Sequence, residues 1–123
     1  MALYAALLYY PQERYWLNPA EADTAPGYAR FFEAAMAADV LRGGEALHPA
    51  DAACTVTVAG GEGGDITIAD GPRTRAADVL GGFYLIEASD DKEAASWAAR
   101  IPAAWRGQVE LRPVVPMQNK PGR

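Results

Sequence analysis

Among the side chains of types that move protons or attack substrates, three stand out by their setting, which limits what each can do. Asp70 precedes Gly71-Pro72. An aspartate in that position is either a turn former, its carboxylate accepting from nearby backbone amides, or an acid facing a cleft and able to exchange protons with a substrate. His48, the single histidine, stands between Leu47 and Pro49 at the end of a short strand. There it either caps the strand end at the surface or offers a group that titrates near neutrality. Cys54, the single cysteine, cannot close an intramolecular disulfide and borders the β-branched run Thr55-Val56-Thr57-Val58, where cysteine serves as packing material more often than as a nucleophile.

Larger constellations are missing from the pattern. One histidine and one cysteine set far apart give no zinc-ligand spacing, and a Ser-His-Asp arrangement has no motif behind it. No metal and no cofactor is implied. Gly60-Gly61-Glu62-Gly63-Gly64 lacks the Lys-Ser/Thr ending and the following helix that hold phosphate, so it reads as a hairpin tip. Trp16, Trp97 and Trp105 could line a pocket, but Trp97 falls on a helix stripe and packing is the simpler role. Glu45, Arg30 and Arg42 read as surface charges.

The elements that must position these residues follow from periodicity. Leu3 to Tyr10 is a continuous apolar run stopped by Pro11, the pattern of a central strand covered on both faces. Pro11 to Pro26 holds three prolines and reads as a loop, with Trp16 anchoring it to the body. A first helix is expected from Pro26 to about Arg42, burying Tyr28, Phe31, Phe32, Ala35, Met36 and Val40, with Gly43-Gly44 ending it. A short strand around Glu45-Ala46-Leu47 comes next. Then a hairpin pairs Cys54–Val58 with Asp65–Ile68, and an apolar strand runs through Phe83-Tyr84-Leu85-Ile86. Asp90 with Glu93 makes an acidic capping box for a second helix, whose stripe is Ala94, Trp97, Ala98 and Ile101 and which Pro102 closes. Gln108 to Val114 is the last strand.

That order is the ferredoxin-like α+β pattern, an antiparallel sheet with two helices on one face and an inserted β-hairpin. The expected organisation is one domain over residues 1–114 and a polar tail over 115–123. Because Phe83-Tyr84-Leu85-Ile86 and most of the first strand carry no polar residue on either face, the sheet face opposite the helices is expected to bury itself in a homodimer.

Composition narrows the class further. The chain has 123 residues, half of them apolar, with 16 acidic and 11 basic side chains and a net charge of -5. The basic residues are scattered, so no footprint for a phosphate backbone is visible and direct nucleic-acid binding is not expected. The apolar run at the N-terminus is too short to span a bilayer and follows no basic region, which points to a cytoplasmic protein with no membrane association.

Taken together, Gly43-Gly44-Glu45-Ala46-Leu47-His48-Pro49, Asp70-Gly71-Pro72, Gly81-Gly82-Phe83-Tyr84-Leu85-Ile86-Glu87 and Val109-Glu110-Leu111-Arg112-Pro113-Val114 resemble the DGPF subgroup of the YCII-related family of small bacterial proteins. The subgroup's usual Asp-Gly-Pro-Phe is here Asp70-Gly71-Pro72-Arg73, with Arg75 and Ala77 in place of an acidic residue and a lysine. The resemblance implies dimers of the α/β-barrel kind. It also implies an acidic residue at Asp70 partnered by a histidine on the first helix. Counting back from Asp39, where the family usually has the glycine that ends that helix, the histidine position falls on Tyr28. On this analogy Asp70, Tyr28 and His48 would share an apolar cleft between the first helix and the sheet. Tyrosine, with an ordinary pKa of about 10, is a poor base at neutral pH but a good hydrogen-bond donor.

Two functions follow from the resemblance. One is a noncatalytic dimer that binds a small molecule or regulates a partner, an accessory to extracytoplasmic-function sigma factors. The other is a lyase- or isomerase-type enzyme in which Asp70 shuttles a proton while Tyr28 or His48 polarises the substrate.

Overall fold

In the computed structural model, which describes residues 1–12, 25–74 and 76–117, six strands and three α-helices follow one another along the chain, with a short 3-10 turn at Ala50–Ala52. Strand β1 spans Ala2–Pro11, helix α1 Ala25–Ala37, β2 Leu41–Ala46, β3 Cys54–Ala59, β4 Asp65–Asp70, β5 Asp78–Ala88, α2 Asp91–Ala98, α3 Pro102–Arg106 and β6 Gln108–Pro113. Strands β2, β5, β1 and β6 form one sheet in that order, every neighbour antiparallel. This is the ferredoxin-like α+β arrangement, with β3 and β4 as a separate two-stranded ribbon inserted between β2 and β5. The expected anchor Trp16, as well as Arg75 and the tail beyond Met117, lie outside the described residues.

The period of two along β1 decides where the core sits. Tyr4, Ala6, Leu8 and Tyr10 are buried towards the helices. The alternate residues Leu3, Ala5, Leu7 and Tyr9 are only half-buried on the opposite face, so β1 is fully covered on one face and not on both. The helix-side core joins Phe31 and Ala35 of α1, Ile86 of β5, Ala98, Ile101 and Ala103. Phe31 is its aromatic centre, with its ring 4.9 Å from Tyr84 and edge-on to Trp97 at 6.5 Å.

Helix α1 ends earlier than its apolar pattern predicts. Asp39 has φ 57°, and the amides of Val40 and Asp39 donate to the carbonyls of Ala35 and Met36, at 3.1 Å each. These paired bonds around a left-handed residue form the reverse turn that closes helices, a place ordinarily taken by glycine. Gly43 and Gly44 therefore sit inside edge strand β2, next to a register shift, instead of ending the helix. Gly44 is required there because a Cβ would meet the Phe83 carbonyl oxygen at 2.7 Å.

At the far end Asp90 caps α2, its carboxylate accepting from the Glu93 amide at 2.8 Å. Glu93 reaches back to the amide and hydroxyl of Ser89, one residue before the cap. The helix stops at Ala98, and Pro102, instead of merely closing it, opens α3 from its first position, where its missing N–H costs nothing. Ala94, Ala98 and Ile101 are buried as their spacing predicts, and Trp97 is half-buried beneath the guanidinium of Arg100.

Candidate functional site

The Asp-Gly-Pro turn works through its glycine. Gly71 is buried with φ 99°, its amide donates to the Ala53 carbonyl at 2.7 Å, and its carbonyl accepts from the Thr55 hydroxyl at 2.9 Å. These bonds close the base of the ribbon, where Asp70 faces Cys54 in the strand register. Among the described residues the Asp70 carboxylate itself has no hydrogen-bond or ion-pair partner, and the residue is exposed. It bonds neither the amides a turn former would use nor a second acid/base group.

Tyr28 lies half-buried on α1, and its hydroxyl pairs with the hydroxyl of Tyr10 on β1. His48 is exposed in the segment after β2, next to Leu47, whose amide donates to the Gly81 carbonyl at 2.9 Å. The contacts thus tie Tyr28 to Tyr10, and join neither Asp70 nor His48 to it. Cys54 is free and exposed. It is expected to be packing material, but among the described residues no helix or strand of the main layer packs substantially against the ribbon that carries it. No group of three or more His, Cys, Asp or Glu among the described residues is placed to hold a metal ion.

A groove runs instead between the outer side of α1 and the edge strand β2. Its walls are Phe32 and Met36 from the helix and Leu41 and Tyr84 from the sheet, its floor is Gly43-Gly44, and it encloses about 290 Å³. Phe32 and Met36, expected in the core, are 53% and 54% exposed. The core side of α1 is filled by Phe31 and Ala35, and residues one position on are turned about 100° away. The adjacent pairs Phe31-Phe32 and Ala35-Met36 were the sequence signal for this groove, since both members of such a pair cannot face one core.

Arg42 stands at the rim, its guanidinium 3.3 Å from Asp39 and 3.2 Å from Glu87. Asp39 and Glu87 both engage it, so among the described residues the one cation lining the groove is already paired. Tyr84 adds no charge to that wall at neutral pH, and burial pushes its hydroxyl further above the ordinary value. A second, more open depression of about 460 Å³ lies at the other sheet edge, between Tyr9, Ala104 and the start of β6. None of Asp70, Tyr28 and His48 lines either cavity.

The order β2-β5-β1-β6, with helices over one face and a ribbon inserted before β5, defines a ferredoxin-like α+β domain. The YCII-related domain family matches residues 2–118, nearly the whole chain, and the chain belongs to that family. No curated protein matches it. No helix among the described residues is long and apolar enough to cross a membrane.

Proposed function

We propose that this chain is a noncatalytic homodimer of the DGPF subgroup that binds a small apolar molecule between α1 and β2 and acts as a regulatory accessory, in the company of extracytoplasmic-function sigma factors. The observation that carries the binding reading is the placement of Phe32 and Met36. Two large apolar side chains stay at the surface and, with Leu41 and Tyr84, frame a groove floored by glycine. Such a wall chemistry suits a neutral aromatic or aliphatic ligand. Dimerisation is supported by the half-buried apolar face of the sheet, where Leu3, Ala5, Leu7 and Tyr9 of β1 lie beside Phe83 and Leu85 of β5.

The lyase- or isomerase-type alternative draws less support. It needs Asp70 with Tyr28 or His48 at one substrate, whereas the Tyr28 hydroxyl is engaged by Tyr10, His48 is exposed in the segment after β2 and the Asp70 carboxylate stands in solvent at the base of the ribbon.

The neutral fluorescent probe N-phenyl-1-naphthylamine tests the groove. Its emission is expected to rise with the wild-type protein and to be lost with Met36→Glu, while Asp70→Asn binds it as the wild type does. Equal emission from Met36→Glu and wild type would overturn the groove as the site. Co-purification with a co-expressed sigma factor of that class, present with the wild type and absent without it, tests the regulatory partner.

A further inference from the structure

The ribbon β3–β4 is amphipathic to a degree its own chain does not use. In its register Val56 stands opposite Ile68 and Val58 opposite Ile66, so the four side chains share one face. Their exposures are 59%, 66%, 41% and 69% in that order. That face ends at the base in Cys54 opposite Asp70, and the other face carries Thr55, Thr57, Thr67 and Asp65 with Ala59 and Ala69. Among the described residues the two strands pack chiefly on each other, and no helix or strand of the main layer makes a substantial contact with them. The Gly71–Ala53 and Thr55–Gly71 bonds at the base join the ribbon's own two ends and not the ribbon to the sheet. An isolated two-stranded hairpin is at best marginally stable in water and needs a surface to pack on.

We infer that the Val56, Val58, Ile66 and Ile68 face is an arm that packs against a second copy of this chain, extending the sheet-face dimer. This rests on the homodimer read above. Charge argues against a nucleic acid or an anionic membrane as the occupant. From Gly43 to Pro72 there is no lysine or arginine and there are five carboxylates, a segment that a phosphate backbone or an anionic lipid surface repels.

Area favours a copy of the chain. The open sheet face, four strands about 4.8 Å apart and some 20 Å long, has a planar footprint of roughly 400 Å², about half of the ~800 Å² that each partner of a stable complex contributes. One ribbon face adds roughly 200 Å² by the same spacing. In a two-fold dimer every subunit gives one arm and receives one, so the arms add twice that and bring the total to roughly 800 Å².

Sedimentation equilibrium of the full chain tests this with Ile66→Thr/Ile68→Thr, a pair of exposed substitutions that keep β-branched residues in the strand, and with Thr57→Ser/Thr67→Ser on the opposite face. The expected result is a wild-type dimer whose dissociation constant rises at least tenfold in the isoleucine variant and stays unchanged in the threonine one. Cys54 shares the apolar face, so its reaction rate with Ellman's reagent is expected to fall as protein concentration rises through the dissociation constant. A wild-type dimer with the same dissociation constant in both variants would overturn the arm and leave the sheet-face dimer standing. A wild-type monomer at all concentrations would overturn both. Cys54 protection independent of concentration would mean that the chain covers its own ribbon, and would also overturn the arm.

Discussion

The hydroxyl of Tyr28 on α1 meets the hydroxyl of Tyr10 on β1, joining the helix to the covered face of the sheet. Tyr10 is 2% exposed, so the pair works where water competes little. A neutral hydrogen bond in such a place contributes about 1 kcal/mol net. Tyr28→Phe is expected to lower the free energy of unfolding by about that amount without changing binding in the α1–β2 groove. Urea unfolding followed by tryptophan fluorescence measures the first and probe titration the second. A loss of ligand affinity with unchanged stability would make Tyr28 a binding residue after all.

The Asp-Gly-Pro turn divides its work unevenly between its first two residues. Gly71→Ala puts a Cβ on a buried residue at φ 99° and is expected to cost roughly 1–3 kcal/mol. Asp70→Asn changes an exposed carboxylate with no partner among the described residues and is expected to stay within about 0.5 kcal/mol of wild type. Denaturation midpoints of the two variants side by side check both. Should Asp70→Asn prove the more damaging, the carboxylate has a role that its surroundings do not show.

Helix α1 closes on Asp39 at φ 57°, a backbone conformation in which any side chain is strained and glycine is not. Asp39→Gly is expected to raise stability by about 0.5–1 kcal/mol. The ion pair it removes, to Arg42 at 3.3 Å, is with a carboxylate that is 92% exposed, and pairs of that kind contribute little. A higher urea midpoint at unchanged slope is the expected reading. A lower midpoint would show that Asp39 holds Arg42 in a way that matters to β2.

Much of the architecture could be read in the sequence because it follows from period and punctuation. The apolar run of β1, the Asp90–Glu93 cap and the paired strands either side of Gly60–Gly64 all fall where those signals put them. What misled was glycine used for close approach. Gly43-Gly44 looks like a helix stop, yet the stop is at Asp39 and the glycines serve the contact between β2 and β5. Periodicity also says which face of an element is apolar without saying what covers it. For that reason Phe32, Met36 and Cys54, expected in the interior, lie at the surface. Asp70, His48 and Tyr28 were legible as residue types, but the Tyr10–Tyr28 pair depends on how α1 crosses the sheet, which no local pattern encodes.

Two tyrosines are expected to set an alkaline limit on the fold. Tyr4 donates to Asp91 at 2.8 Å, and this hydrogen bond, then burial, raises its pKa; burial alone raises that of Tyr84. In both the folded state holds the proton more tightly than the unfolded chain. Their contribution to stability is therefore fully present below the unfolded value of about 10 and is lost as pH rises through the higher folded values. Unfolding free energy is expected to be flat with respect to these groups up to about pH 9 and to fall as pH passes 10. Tyr84→Phe removes an ionisable group whose hydroxyl has no hydrogen-bond partner among the described residues, so the variant is expected to fold and to lose less stability between pH 9 and pH 11 than wild type. Urea midpoints across that range, with tyrosinate absorbance as the titration signal, provide the check. An identical alkaline decline in the variant would show that the Tyr84 hydroxyl is not held back by burial and that Tyr4 or another group sets the limit.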